Sequence, residues 1–235
     1  MKFTGERFIP GKPADRIAED HLERYNFILN IYDKKIKLDI LDLACGEGYG
    51  SNLLKEYYVN SNVTGVDISN EVIEHAENKY SKDNLKFLQG DGTTFNNNNN
   101  DYYDVIVSFE TIEHVSTYEA VIENFSKLLK PNGSLFISSP NRLITSPLAN
   151  CLEDKPGNEF HTQEFLKNEL SEILEKYGYK VENIFGQRQF PYFKSYFLNK
   201  VLYRLFSPHN NTSSKVTKLN RFLEPRYFII EAIKK

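Results

Sequence analysis

Residues 41–50, Leu-Asp-Leu-Ala-Cys-Gly-Glu-Gly-Tyr-Gly, constrain this chain more than any other stretch. An apolar run over 36–44 leads into them, and a segment with helical spacing over 48–58 leads out. Three glycines between a strand and a helix let the backbone turn sharply and bring a ligand against a helix N-terminus. The same alternation continues downstream. Strand patterns occupy 62–68, 84–91, 103–110 and 134–140. Helical patterns follow Ser69, an N-cap residue type, and cover 118–130, stopped by Pro131-Asn132-Gly133, and 162–178, stopped by Gly178. Residues 179–186 and 226–235 read as late strands. Near-continuous apolar strands joined by helices imply a parallel sheet covered on both faces.

Two segments fall outside that alternation. Residues 1–35 precede the first strand and contain one helix, roughly 17–31, so they read as an N-terminal helical cap. Residues 187–224 separate the last two strands with an aromatic-rich stretch, read as a helical insertion or lid. The core is then 36–186 together with 225–235. The Asn96–Asn100 tract reads as a solvated surface loop. At 235 residues and 40% hydrophobic, the chain can bury a large core without staples. Its two cysteines, Cys45 and Cys151, imply no disulfide framework. The first residues hold charges and prolines rather than an apolar stretch, and no apolar run approaches a membrane span. A cytoplasmic protein is the expectation. A net charge of -3 argues against a nucleic-acid partner.

Acids stand at the ends of successive strands: Asp42, Asp67 and Asp91. In an open α/β sheet that edge is where ligands bind, and an acid there can take both hydroxyls of a ribose. In combination these features resemble the class I S-adenosylmethionine-dependent methyltransferases, over about residues 36–140 and the terminal strands. The resemblance implies a Rossmann-like doubly wound sheet of seven strands, mostly parallel with an antiparallel last strand. It implies S-adenosylmethionine as cofactor. Asp42, Ala44, Cys45, Gly46 and Gly48 would lie against its methionine part, Asp67 on the ribose, and Ile68, Asp91 and Gly92 by the adenine, with Ser108 at the end of the fourth strand. Cys45 reads as a small packed residue of the turn.

After the fourth strand comes Ser-Phe-Glu-Thr-Ile-Glu-His-Val, 108–115. In a helical turn, Glu110, Glu113 and His114 would share a face. Two carboxylates and an imidazole can hold a divalent cation through mixed oxygen and nitrogen ligands. The motif resembles that of small-RNA 2′-O-methyltransferases and ubiquinone-pathway O-methyltransferases. Carried over, Glu110, Glu113, His114 and the later His161 would be ligands of a cation such as magnesium. The same three residues, Glu110, Glu113 and His114, are the catalytic candidates, and in a metal-free reading His114 is the general base.

The opening Phe3-Thr4-Gly5-Glu6-Arg7-Phe8-Ile9-Pro10, followed by His21-Leu22-Glu23-Arg24-Tyr25, resembles bacterial methyltransferases of surface-polysaccharide and secondary-metabolite pathways. That implies a sugar, activated sugar or capsule precursor as the small-molecule acceptor. Arg7, His21, Arg24 and Tyr25 are candidates to reach the cofactor carboxylate or an anionic acceptor; otherwise they fix the cap by ion pairs and packing. The aromatic stretch admits three uses: core packing, a homodimer interface, or membrane contact through 190–206. The expected activity is methyl transfer to a hydroxyl. The alternatives are a metal-dependent RNA 2′-O-methyltransferase, a non-catalytic methyltransferase-like binding protein and a nucleotide-sugar dehydrogenase.

Overall fold

The computed structural model describes residues 16–96, 102–193, 198, 201 and 212–235. Helix α1 (Arg16–Ile28) precedes a strand–helix alternation: β1 (Asp39–Leu43), α2 (Tyr49–Tyr57), β2 (Asn62–Asp67), α3 (Asn70–Tyr80), β3 (Leu85–Gln89) and β4 (Tyr103–Ser108). A single 3₁₀ turn, Ile112–His114, then leads to α4 (Tyr118–Leu128), β5 (Leu129–Pro140) and the short α5 (Arg142–Thr145). The chain closes with α6 (Lys167–Lys176), β6 (Tyr179–Pro191), β7 (Thr217–Lys218) and β8 (Leu223–Lys234).

The strands form one sheet in the order β3-β2-β1-β4-β5-β8-β6-β7. β3 through β5 pair in parallel, while β8 runs antiparallel to both β5 and β6. This is the doubly wound, mostly parallel architecture expected, with eight strands among the described residues rather than seven. The additional strand is β7, whose two residues pair with Phe185 and Gly186 at the sheet's outer edge. Two residues are too few for a period-2 pattern to register.

Side chains alternate across the sheet as strand geometry requires. Leu41, Leu43, Leu135, Ile137, Phe228 and Ile230 enter one core with Phe125 of α4 and Leu170 and Leu174 of α6. Ile40, Phe136 and Ile229 enter the other, with Tyr25 and Ile28 of α1, Leu54 of α2 and Ile73 of α3. Both faces are therefore buried, which is why these strands read as continuous apolar runs.

Two boundaries differ from the sequence reading. α6 begins at Lys167, not at residue 162, because Thr162 and Gln163 bond to the turn after β4 and Phe165 bridges to Asn141. β6 continues to Pro191 and β8 starts at Leu223, so part of the span read as an insertion belongs to the sheet. Most of residues 194–211, the N-terminal segment 1–15 that includes Arg7, and residues 97–100 of the asparagine tract lie outside the described residues.

Helix α1 is seated by Tyr25. Its ring lies so close over Gly50 that a Cβ there would stand 2.0 Å from a ring carbon. Further along the chain, Arg188 Nε donates to both oxygens of Asp20 at 2.7 Å. Gly50→Ala is expected to lower stability by about 1–3 kcal/mol through this overpacking, although alanine is the better helix former. Urea unfolding measures the loss.

Candidate active site

The carboxyl edge of the sheet gathers the acids and the glycine-rich turn. Asp42 at the end of β1 is fully buried. Tyr25 Oη donates to one of its oxygens at 2.9 Å and Ser51 Oγ to the other at 2.6 Å. Its carboxylate thus ties α1 and α2 to the turn rather than opening onto a ligand. Gly46 and Gly48 take positive φ of 54° and 79°, and Ala44 does so at 62°. A Cβ at Gly48 would strike Phe87, whereas at Gly46 it would meet nothing within 4 Å. Gly46 therefore marks the open side of the turn. Cys45 is buried, and burial pushes its thiol well up, so it is a packed residue and a poor nucleophile.

Asp67 ends β2 with its carboxylate held by backbone donors, Gly46 N at 3.1 Å and Ser69 N at 3.0 Å. Ile68 beside it is 65% exposed, an apolar surface standing open next to an acid. Asp91 is exposed, and its bonds from Thr93 N (2.8 Å) and Thr93 Oγ1 (2.7 Å) hold its carboxyl below the usual range. The carbonyl of Gly92 next to it accepts from Asn124 Nδ2 at 3.0 Å, and Ser108 is buried at the end of β4. Arg24 is 1% exposed, with Nη2 at 3.4 Å from Glu110 Oε2 and its guanidinium over the Tyr227 ring at 4.8 Å. Its Nε and Nη1 are buried without a hydrogen-bond partner. Such orphaned donors cost about 1–3 kcal/mol each unless a ligand takes them. His21, one turn earlier, is neutral, since burial and then the charge of Arg24 push it down to about 3.

The second group lies beyond β4. Glu113, His114 and His161 bring ligand atoms within 4.8 Å of one another. The two imidazoles meet edge to face, centroids 4.9 Å apart. His114 Nδ1 faces the Phe160 carbonyl at 3.0 Å and His161 Nδ1 faces Glu164 Oε1 at 2.6 Å. Each Nδ1 must donate there, which in a neutral ring leaves the lone pair on Nε2. Asn158 Nδ2 lies 3.0 Å from His161 Nε2. Glu113 is 1% exposed and neither carboxylate oxygen has a partner. Burial, then the nearby charge of Glu110, pushes its carboxyl well above the usual range.

Glu110 stands outside that grouping, although the sequence places it on the same face. It takes a positive φ of 49° before the turn starts, so no helix joins it to Glu113. Its Oε1 instead accepts from Ser138 Oγ at 2.8 Å.

A family model described as a methyltransferase domain matches residues 34–187. The chain belongs to the S-adenosylmethionine-dependent methyltransferases. A probable S-adenosylmethionine-dependent methyltransferase of Mycolicibacterium smegmatis is 31% identical over 79% of this chain and 68% of its own length. A ubiquinone biosynthesis O-methyltransferase of Rickettsia canadensis is 31% identical over 68% of this chain and 70% of its own length. Against a Mycobacterium tuberculosis relative the chain spans only 61% of the partner's length. The fold matches magnesium protoporphyrin IX methyltransferase of Synechocystis, solved with bound S-adenosylhomocysteine, at a TM-score of 0.64 and 14% identity, covering 97% of this chain and 90% of that one.

In this methyltransferase the sequence reading missed Glu164. It is 1% exposed and accepts from His161, Thr145 and Ser146. Against its burial, those bonds hold its carboxyl below the usual range. Its position three residues after His161 was the available signal. Gln163 was missed too: its Nε2 donates to the carbonyls of Ile112 at 2.6 Å and Val115 at 3.0 Å, bracketing the turn that carries Glu113 and His114. A groove of about 510 Å³ is lined by Thr145, Ser146, Leu148, Asn150 and Lys155, and the first two of these donate to Glu164.

Burial pushes the Asp42 carboxyl up to about 6 from its usual 3.8, against the pull of its two hydroxyl donors. A folded-state pKa above the unfolded one favours folding at low pH, and that contribution is lost as pH rises from 3.8 to about 6. The difference corresponds to about 3 kcal/mol. Asp42→Asn is expected to flatten the stability–pH profile over that window and to be more stable than the wild type at neutral pH, as read by urea unfolding.

Proposed function

We propose that this chain transfers the methyl group of S-adenosylmethionine to a hydroxyl of a small, carbohydrate-type acceptor, with a divalent cation such as magnesium held by Glu113, His114 and His161. One observation carries the reading: a carboxylate with two unpartnered buried oxygens stands beside two imidazoles whose Nδ1 atoms are each engaged by an acceptor. That is the arrangement by which proteins orient metal-ligating histidines, with Phe160 and Glu164 as the outer partners. Two nitrogens and a carboxylate suit a borderline or hard divalent cation. Such a cation lowers the pKa of an alcohol bound to it. Glu110, tied to Ser138 and Arg24, is assigned to orienting the acceptor rather than to the cation.

The cofactor end fits its ligand by the same kind of reasoning. The open side of Gly46 admits the methionine chain, Asp67 takes the ribose hydroxyls and the exposed Ile68 covers the purine, with Asp91 at its edge. An orphaned donor of Arg24 is assigned to the methionine carboxylate, as a charge-assisted hydrogen bond. The bound sulfonium supplies an activated methyl group. The acceptor oxygen gains that methyl and gives up its proton. The protein's tasks are to position the oxygen and to ease the loss of that proton. The sugar-type acceptor rests on the resemblance of the N-terminal segment, and oxygen as the methylated atom is supported by the Rickettsia relative, named an O-methyltransferase.

A second reading uses the same cluster without a cation, with His114 Nε2 taking the acceptor proton; the carbonyl that fixes its Nδ1–H favours it. Chelation separates the two. With sugar nucleotides as trial acceptors, methyl transfer is expected to disappear on full chelation and return with magnesium or manganese. Activity that survives chelation leaves the His114 reading.

Calorimetry tests the cofactor side. Asp67→Ala is expected to weaken S-adenosylhomocysteine at least about tenfold. Arg24→Met should weaken it by about as much yet leave 5′-methylthioadenosine, which lacks the carboxylate, unchanged. No binding of S-adenosylhomocysteine to the wild type would remove the reading.

A further inference from the structure

The charge of this chain is not evenly spread. Between Glu182 and Glu224 there is no acid, and seven lysines and arginines make this one stretch strongly positive in a chain of net charge -3. Arg188 is spent inside the fold on Asp20. Lys215, Lys218 and Arg221 are exposed. Large apolar side chains are exposed with them: Phe222 at 71%, Leu198 at 49%, Phe193 at 47% and Val201 at 37%. The Arg221 guanidinium lies over the Phe222 ring at 4.4 Å.

The register of the sheet places part of this group: Lys218 of β7 pairs with Phe185 at the outer edge, level with Ser138 of β5, while Phe193 and Phe222 lie at the far end. Pro140, the end of β5, pairs with Tyr227, and β8 begins four residues beyond it at Leu223, opposite Pro191 of β6. The β6–β8 pair therefore projects about 13 Å past the end of β5. Phe222 precedes Leu223 and Phe193 follows Pro191, so both flank that projecting end. It lies on the carboxyl side of the parallel strands, the side that carries Asp67 and Glu113.

We infer that this projecting end, together with the β7 edge beside it, docks on an anionic membrane surface. Cations standing among exposed aromatic and aliphatic side chains are the make-up of interfacial segments. The cations meet anionic headgroups while the apolar groups enter the boundary beneath them. No acid in residues 183–223 opposes such a surface, and Glu224 on the projecting end is paired with Lys167. Leu198 and Val201 favour lipid over single-stranded nucleic acid, where bases are held by stacking on aromatic faces. Among the described residues no helix is long and apolar enough to cross a membrane, so the contact is peripheral. Docking in this orientation turns the methyl-transfer side toward the headgroups, while the inference itself does not depend on the reaction.

Co-sedimentation of the full chain with vesicles tests it. Binding is expected to vesicles of phosphatidylcholine with roughly one third phosphatidylglycerol, at least about tenfold tighter than to phosphatidylcholine alone, and to weaken with salt. The triple charge reversal Lys215→Glu, Lys218→Glu, Arg221→Glu and, separately, Phe222→Asp should each weaken it about tenfold. Calorimetry with S-adenosylhomocysteine on the same samples shows whether the variants stay folded. It also separates this inference from the methyltransferase reading, since either result can fail while the other holds. No binding, equal binding to neutral vesicles, or indifference to the substitutions overturns it. So does tighter binding to a single-stranded RNA oligonucleotide, or a dimer in sedimentation velocity that Phe222→Asp converts to monomer.

Discussion

The carboxylate of Asp42 holds three elements at once. It ends β1, receives the Tyr25 hydroxyl from α1 and the Ser51 hydroxyl from α2, and has no contact with water. A buried carboxylate is costly unless its oxygens are satisfied, so the three elements are fixed together or not at all. Seating Tyr25 puts its neighbour Arg24 beside Glu110. The glycine-rich turn offers Gly46 N to Asp67, so a second acid is aligned by the first. The carboxyl edge is one connected network; its open places are Gly46 and Ile68, and the orphaned donors of Arg24 are buried.

Local pattern carried the reading of the core a long way. Five parallel strands and the helices between them announce themselves because all but the edge strand β3, which alternates, are buried on both faces, and each helix on one. The acids at the ends of β1, β2 and β3 are legible because they follow those strands directly. What the pattern misses is decided by partners far along the chain. Glu110 looks like a companion of Glu113 at a spacing of three, but its backbone takes a positive φ, and Ser138, 28 residues away, holds its carboxylate. Asp42 reads as a ligand-binding acid, yet a tyrosine 17 residues upstream takes one of its oxygens. The start of α6 is displaced because Thr162 and Gln163 give their amides to the Glu113 carbonyl instead of to a helix. Strand β7 exists only because β6 offers it an edge.

The site separates two kinds of carboxylate. Glu113 is buried and unpartnered, and burial disfavours its charge. Glu164 is as deeply buried but is supplied with three donors. The first arrangement is stable only as a neutral acid or beside a cation, and the second behaves as a fixed anion that steadies His161. The proposed division of labour, Glu113 with the histidines and Glu110 with Arg24, follows from those surroundings rather than from the shared motif. The positive, apolar end of the β6–β8 pair belongs to neither group and extends the molecule toward a surface of opposite charge.

Crystals grown with S-adenosylhomocysteine and manganese, with data collected at an energy that reveals manganese by anomalous scattering, address the central claim most directly. The account predicts an anomalous peak between Glu113, His114 and His161, ribose hydroxyls on Asp67, and the methionine carboxylate on Arg24. A peak on other residues, no peak at saturating manganese, or a nucleoside bound away from Asp67 would contradict it.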